Sequence, residues 1–350
     1  MSPTRPLHLA VALDGPARYD AECYVGLARL AEQGALDFVT LGDSFARPGL
    51  DALAVLSRVA PTTERIGLVP TVTTTHTEPF HVSTAVATLD WVSRGRAGWQ
   101  VDVSTTEAEA RLFGRRPATP GDALWREAGE VAEVAARLWD SWEDDAEIRD
   151  ISTGRFIDRD KLHRVDFQGG TFSVRGPSIV PRPPQGRPVT VADGTGEPGR
   201  DAAARHADVV LVRADAPEQA AALRDDIRRR AEAQGRDPDT LRVLVSLVVD
   251  LGESEPGLDS DPRLAGGPHY SGGPVDLAEL ITQWHAEAAV DGFHLAPIAP
   301  HRDLERIVNG TVALLQHRSL FRTFYPGGTL REHLGLARPA NQYALPGGSS

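Results

Sequence analysis

The sequence predicts a single (β/α)8 TIM barrel, on three observations. Eight short apolar segments alternate with eight helix-like segments over the 350 residues. Most of the apolar segments are hydrophobic almost without a gap, as strands are in a parallel sheet covered by helices. Small polar residues gather directly after them, at the strand ends where parallel α/β folds hold their ligands. A doubly wound open sheet has the same alternation, but eight right-handed βα units favour closure.

In chain order, Leu7–Leu13 is the first strand, and the helix over Asp20–Gln33 is closed by Gly34. Asp37–Leu41 and the helix Asp51–Ala60 follow, then Arg65–Val72 with Pro79–Val92. The fourth strand, Ala97–Val103, leads to a helix over Ala123–Trp139. Between Ser141 and Arg187 the alternation breaks into a stretch rich in charge, Gly and Pro, read as an insertion at 141–187 rather than a second domain. Phe167–Val174, centred on Gly169-Gly170, reads as a hairpin within it. Alternation resumes with Pro188–Ala192 and Glu197–His206, then Asp208–Val212 and Ala216–Gln234. Leu241–Leu251 is followed by a Gly/Pro-rich loop, Glu253–Pro274, and the helix Asp276–Ala289. Gly292–Ala296 and His301–Gln316 complete the eighth unit. Residues 1–320 therefore form one domain, and 321–350, with little periodicity, a C-terminal extension packing on it.

A net charge of −12 argues against a nucleic-acid partner, whose footprint is a basic patch. No apolar run approaches the ~20 residues of a membrane span, and the first residues have no signal-peptide core, so a soluble, cytoplasmic protein without a membrane partner is expected. The lone cysteine, Cys23, cannot form an internal disulfide and reads as a small buried hydrophobe. Glu143-Asp144-Asp145 reads as a solvated charge run.

Gly194–Gly199, GTGEPG, follows a strand and opens a helix, with Asp215 further on at the next strand end. This is the local fingerprint of a dinucleotide site, although it stands in the fifth βα unit rather than the first. Three readings remain open: a dinucleotide site, a mononucleotide phosphate cradle built from backbone N–H groups and the Thr195 hydroxyl, or a glycine-rich turn. Thr71–Thr75 is a hydroxyl-rich strand end, readable as a β-favouring run or as a rim for a cofactor's edge. His76 after it is a candidate proton carrier; no ligand set at metal spacing accompanies it, so no metal is expected. Asp43 reads equally as a helix cap or a pocket residue.

The stretch Leu89–Ser104, LDWVSRGRAGWQVDVS, resembles the helix–strand step of the bacterial luciferase-like flavin monooxygenases. It is most similar to the branch with nitrilotriacetate, dibenzothiophene-sulfone and long-chain alkane monooxygenases. Glu64–Phe80, Arg137–Ala146, Gly154–Pro188, Asp291–Leu295 and Leu314–Leu336 resemble further segments of that branch, in the same order. The resemblance implies a luciferase-like barrel that binds reduced FMN, delivered by a separate NAD(P)H:flavin reductase. O2 and a small organic substrate react there, the cofactor carrying the chemistry. It places Asp43, Thr73, Ser104, Trp125, Gly194, Thr195, Gly196, Glu197 and Pro198 at the FMN, with His76 as the catalytic candidate. It also implies a homodimer or homotetramer and a shortened lid loop at 252–274. A deazaflavin (F420) oxidoreductase and a non-catalytic barrel are the alternatives. The chain departs from the pattern at Gln100, Val103, Trp125 and Gly196, and Asp193 brings a negative charge near the expected phosphate.

Overall fold

The apolar segments pair into a closed parallel sheet in the computed structural model, which describes residues 6–15, 19–252, 267–287 and 289–344. The first half runs β1 (His8–Ala12), α1 (Ala21–Gln33), β2 (Phe38–Leu41), α2 (Ala52–Val59), β3 (Gly67–Thr73), α3 (Pro79–Val92) and β4 (Gly98–Asp102). Two helices follow, α4 (Glu107–Phe113) and α5 (Gly121–Asp140). The insertion carries two antiparallel hairpins, β5 (Glu147–Asp150) with β6 (Arg155–Ile157), and β7 (Phe167–Gln168) with β8 (Ser173–Val174). Then come β9 (Val189–Asp193), α6 (Glu197–His206), β10 (Val209–Val212), α7 (Pro217–Ala233), β11 (Arg242–Asp250) and β12 (His269–Ser271). The last elements are α8 (Pro274–Ala286), β13 (Gly292–Pro297), α9 (Pro300–Arg306), α10 (Ala313–His317) and α11 (Leu330–His333). Strands β1, β2, β3, β4, β9, β10, β11 and β13 are hydrogen-bonded in that order, and β13 returns to β1.

Period-two alternation decides what each strand sends inward. Leu9, Val11, Val39, Phe293 and Leu295 face the surrounding helices in the main apolar layer. Ala10, Phe38, Val69, Val189, Val191, Val209, Leu211 and Leu244 fill the lumen. Further along the same strands, toward their carboxyl ends, the residues lining the interior turn polar: Thr40, Thr71, Gln100, Ser246 and His294.

The lumen's other end is closed by the tail. Leu330, Leu334 and Leu336 join the lumen cluster, which makes the tail part of the core rather than an appendage. A two-part cap fixes α11, with Thr329 and Glu332 bonding each other's backbone N–H. Leu330→Ala is expected to lower the unfolding free energy by about 3 kcal/mol, measured by urea denaturation, because a fully buried Leu leaves a cavity the barrel cannot collapse into.

Several elements differ from the sequence reading. Helix α4 was not anticipated; seven residues are too few to show a period, yet the Thr106-x-x-Glu109 box and Gly114 at φ 63° bound it plainly. The last helix is interrupted by a π-helical stretch at Ile307–Val312. The Gly/Pro-rich loop contains β12, which adds to β11 in parallel, while the rest of the expected lid, 253–266, lies outside the described residues. Cys23 is only partly buried, because its helix face borders solvent. The acidic run is not simply solvated. Glu143 pairs with His163, Asp145 with Lys161, and Asp144 with both Arg182 and Arg338.

Candidate active site

The carboxyl ends of the barrel strands surround a pocket of ≈ 560 Å³. A larger depression, ≈ 770 Å³, lies between α5 and α6 and is lined mainly by charged side chains such as Glu130, Arg137 and Asp201. The strand-end pocket is the stronger candidate, because it alone gathers groups from many strands at the barrel mouth.

Its wall is pre-ordered by local hydrogen bonds. Thr73 Oγ1 and Ser104 Oγ lie 3.0 Å apart, and the Ser104 N–H donates to Thr75 Oγ1 at 3.1 Å, which locks β3 to β4 at their ends. Asp43 serves both readings: it lines the pocket, and its Oδ2 accepts the Ala52 N–H at the start of α2. Glu109, a buried residue in the first turn of α4, closes the capping box, and its Oε1 lies 3.4 Å from Ser44 Oγ.

The three glycines of the GTGEPG turn have two duties. A Cβ on Gly194 would meet Val210 at 2.5 Å, and one on Gly199 would meet the Asp193 carbonyl at 2.6 Å, so both serve close strand–helix packing. At Gly196 the same atom would find only Pro198 Cδ at 3.8 Å. Helix α6 begins there with no side-chain cap. The start of α6 offers an anion the N–H groups of Gly196 and Glu197; Pro198 has none, and that of Gly199 donates to the Gly196 carbonyl at 3.2 Å. Thr195 is committed elsewhere: its N–H donates to Asp193 Oδ1 at 2.7 Å and its Oγ1 accepts the Arg213 N–H at 3.0 Å. Nearby charge is balanced, since Arg213 bonds Asp193 at 2.9 Å and Glu197 is paired with Arg200 and Arg230.

The expected site residues therefore separate. Asp43, Thr73, Ser104, Trp125 and Thr195 line the strand-end pocket. Glu197 and Pro198 line the α5–α6 depression, and Trp125 stands in the wall of both. Gly194 is buried behind the wall, and Gly196 is exposed at the turn. His76, at φ 67°, stacks on Phe113 with centroids 4.9 Å apart and has a buried Nδ1 without a hydrogen-bond partner. Burial, with Arg116 nearby, pushes its pKa down, so the ring is neutral at pH 7. Asp215 is exposed outside the pocket, and the closed barrel leaves no Rossmann crevice for the dinucleotide reading.

Sequence reasoning missed His294. Its ring reaches from β11 to β2 along the lumen wall, with Nε2 2.8 Å from Thr40 Oγ1 and Nδ1 3.0 Å from Ser246 Oγ of the adjacent strand. A histidine at a lumen position of an otherwise apolar strand was the available signal. Burial drives its pKa down to about 4, and its second partner is a threonine rather than a carboxylate. It is thus too weak a base to activate Ser246 as a hydrolytic nucleophile.

A parallel barrel whose mouth binds rather than attacks belongs with the enzymes in which a cofactor supplies the reactivity. The model for luciferase-like monooxygenases matches residues 10–260. The chain is 34% identical to nitrilotriacetate monooxygenase component A of Aminobacter aminovorans, over 93% of this chain and 92% of that one. It is 31% identical to dibenzothiophene-sulfone monooxygenase of Rhodococcus erythropolis, over 91% and 90%. The solved structure of a long-chain alkane monooxygenase superposes with a TM-score of 0.85 at 26% identity, covering 95% of this chain and 96% of that one. The protein belongs to the luciferase-like monooxygenase family and is an enzyme of that family.

Proposed function

We propose that this protein is the oxygenase component of a two-component system, using reduced FMN and O2 to oxygenate a small organic substrate. A separate NAD(P)H:flavin reductase would deliver the reduced flavin. The observation that carries the reading is the pocket at the strand ends together with the uncapped start of α6 beside it. Reduced FMN, when bound, supplies the electrons for O2 activation.

The chain's own residues bind and shield. The N–H groups of Gly196 and Glu197 and the space at Gly196 would hold the phosphate, since Pro198 has no N–H and that of Gly199 donates to the Gly196 carbonyl at 3.2 Å; Trp125 packs on Gly199 beside it. Thr73 and Ser104, already joined, would present their remaining hydrogen-bonding capacity to the ring edge. Asp43 would bound the mouth on the β2 side, and Glu197 and Pro198 would shape the turn. His76, which lies outside the lining of the strand-end pocket, would be the proton carrier, its buried Nδ1 having no hydrogen-bond partner among the described residues.

Gly196→Asp tests this. The new carboxylate enters open space at φ −82°, where any residue is comfortable, and caps α6 itself. Thermal stability should hold or rise slightly. FMN affinity, followed by flavin fluorescence, should fall by about 100-fold, since the carboxylate fills the space at the helix start and repels the phosphate. Undiminished affinity would place the phosphate elsewhere. The same titration with F420 separates the deazaflavin alternative, and binding of neither cofactor by the parent protein would leave the flavin reading without support.

A further inference from the structure

The floor of the pocket carries three groups that this reading leaves unused: Thr40, His294 and Ser246. Each is nearly inaccessible, at 3%, 5% and 7% exposure. The ring nitrogens are held by the two hydroxyls, and neither hydroxyl has another hydrogen-bond partner among the described residues.

The consequence follows from counting protons. A neutral imidazole has one N–H donor and one lone pair. One hydroxyl must therefore donate to the ring and the other must accept from it. The accepting hydroxyl keeps its own O–H for the pocket, whereas the donating one offers the pocket only lone pairs. The floor thus presents one donor and one acceptor, and a change of tautomer exchanges which is which.

We infer that Thr40, His294 and Ser246 form a neutral, tautomer-adaptable anchor for an uncharged amide-like edge, one with a donor beside a carbonyl acceptor, and that His294 is its positioning residue. The inference rests on the monooxygenase reading for the identity of the pocket, and it deepens that reading by assigning chemistry to its floor. The three side chains at the floor bring no charge of their own while the ring is neutral, which suits an uncharged group there. Burial likewise keeps the ring uncharged at neutral pH. Two sources share this chemistry, the imide edge of the flavin ring and a polar group of the substrate.

The test uses the full chain labelled with 15N-histidine. Long-range 1H–15N spectra report the tautomer of each ring, and the His294→Asn variant identifies its signals by their loss. Titration with 2-pyrrolidone, an uncharged lactam, should move the His294 nitrogens saturably, while propionate should not. A shift caused by FMN alone assigns the floor to the cofactor's ring. A pyrrolidone shift that persists in FMN-saturated protein assigns it to substrate. Thr40→Val and Ser246→Ala should each weaken the pyrrolidone half-saturation at least about fivefold, the worth of one neutral hydrogen bond. His294 signals indifferent to both pyrrolidone and FMN, or equally responsive to propionate, overturn the inference. Because FMN binding is scored in the same samples by fluorescence, failure of the floor and failure of the flavin reading are told apart.

Discussion

Melting temperatures recorded from pH 7 down to pH 4 are expected to fall steeply, with the loss concentrated between pH 6.5 and 4. Three histidines, His206, His294 and His333, have their pKa values pushed down to about 4 by burial. In the unfolded chain each titrates near its ordinary value of about 6.5. Between those two values the unfolded state binds a proton that the folded state refuses, so stability rises with pH across the window. The contribution is fully present above the unfolded value and is lost as pH falls toward the folded one. At 1.36 kcal/mol per unit, each histidine accounts for about 3 kcal/mol.

One group opposes them. Burial pushes Asp90 up to about 6, against hydrogen bonds from Gln185 and Ala97, so the folded state takes its proton first and gains stability as pH falls from there. That offsets roughly one histidine, leaving a net loss of about 6 kcal/mol, a large share of a typical 5–15 kcal/mol. Unfolding near pH 4 is the expected result, and His294→Asn should flatten the slope. A melting temperature constant between pH 6.5 and 4.5 would show that the buried rings do not govern acid stability.

Arg96→Met is expected to lower the unfolding free energy by about 4 kcal/mol without touching the pocket. Arg96 is buried at 3% exposure and pairs directly with no carboxylate among the described residues. Its guanidinium donates to the carbonyls of Ser93, Ile66, Ala60 and Thr63 and to Thr63 Oγ1, at 2.8 to 3.0 Å. The Ala60 and Thr63 carbonyls belong to the 3-10 turn Ala60–Thr62 after α2 and to its C-cap, where carbonyls lack partners within the helix. Methionine fills a similar length but leaves those acceptors dry. A melting temperature lower by about 6 °C with unchanged FMN affinity is the expected signature. Arg96→Lys should recover only part of it, since an ammonium lacks the planar fork that reaches both sides at once. A loss of flavin binding in the folded variant would contradict this structural role.

This network explains why the segment Leu89–Ser104 carries so much of the family likeness. Its first half is a knot at the amino end of the barrel. Asp90 accepts from the Ala97 N–H and from both nitrogens of Gln185, and Gln185 in turn accepts the Arg331 N–H from the tail plug. Its second half, Gln100 to Ser104, lines the pocket at the opposite end. One short motif therefore specifies the floor plan and the site together, which a reading focused on ligand contacts would miss.

Local pattern alone determined the eight βα units, the insertion with its Phe167–Val174 hairpin, and the hydroxyl-rich strand ends. Those depend on periodicity and turn chemistry between neighbours in the chain. Family resemblance supplied the flavin expectation on top of that. Only the tertiary structure decided that the tail is a core plug, that Thr195 is occupied by Asp193 and Arg213, that Gly196, of the three glycines in its turn, faces open space, and that His294 bridges two strands it does not adjoin in sequence. Most of these are set by which strand ends and tail residues the closing sheet brings together, and a contact between positions 40 and 294 leaves no trace in any local window.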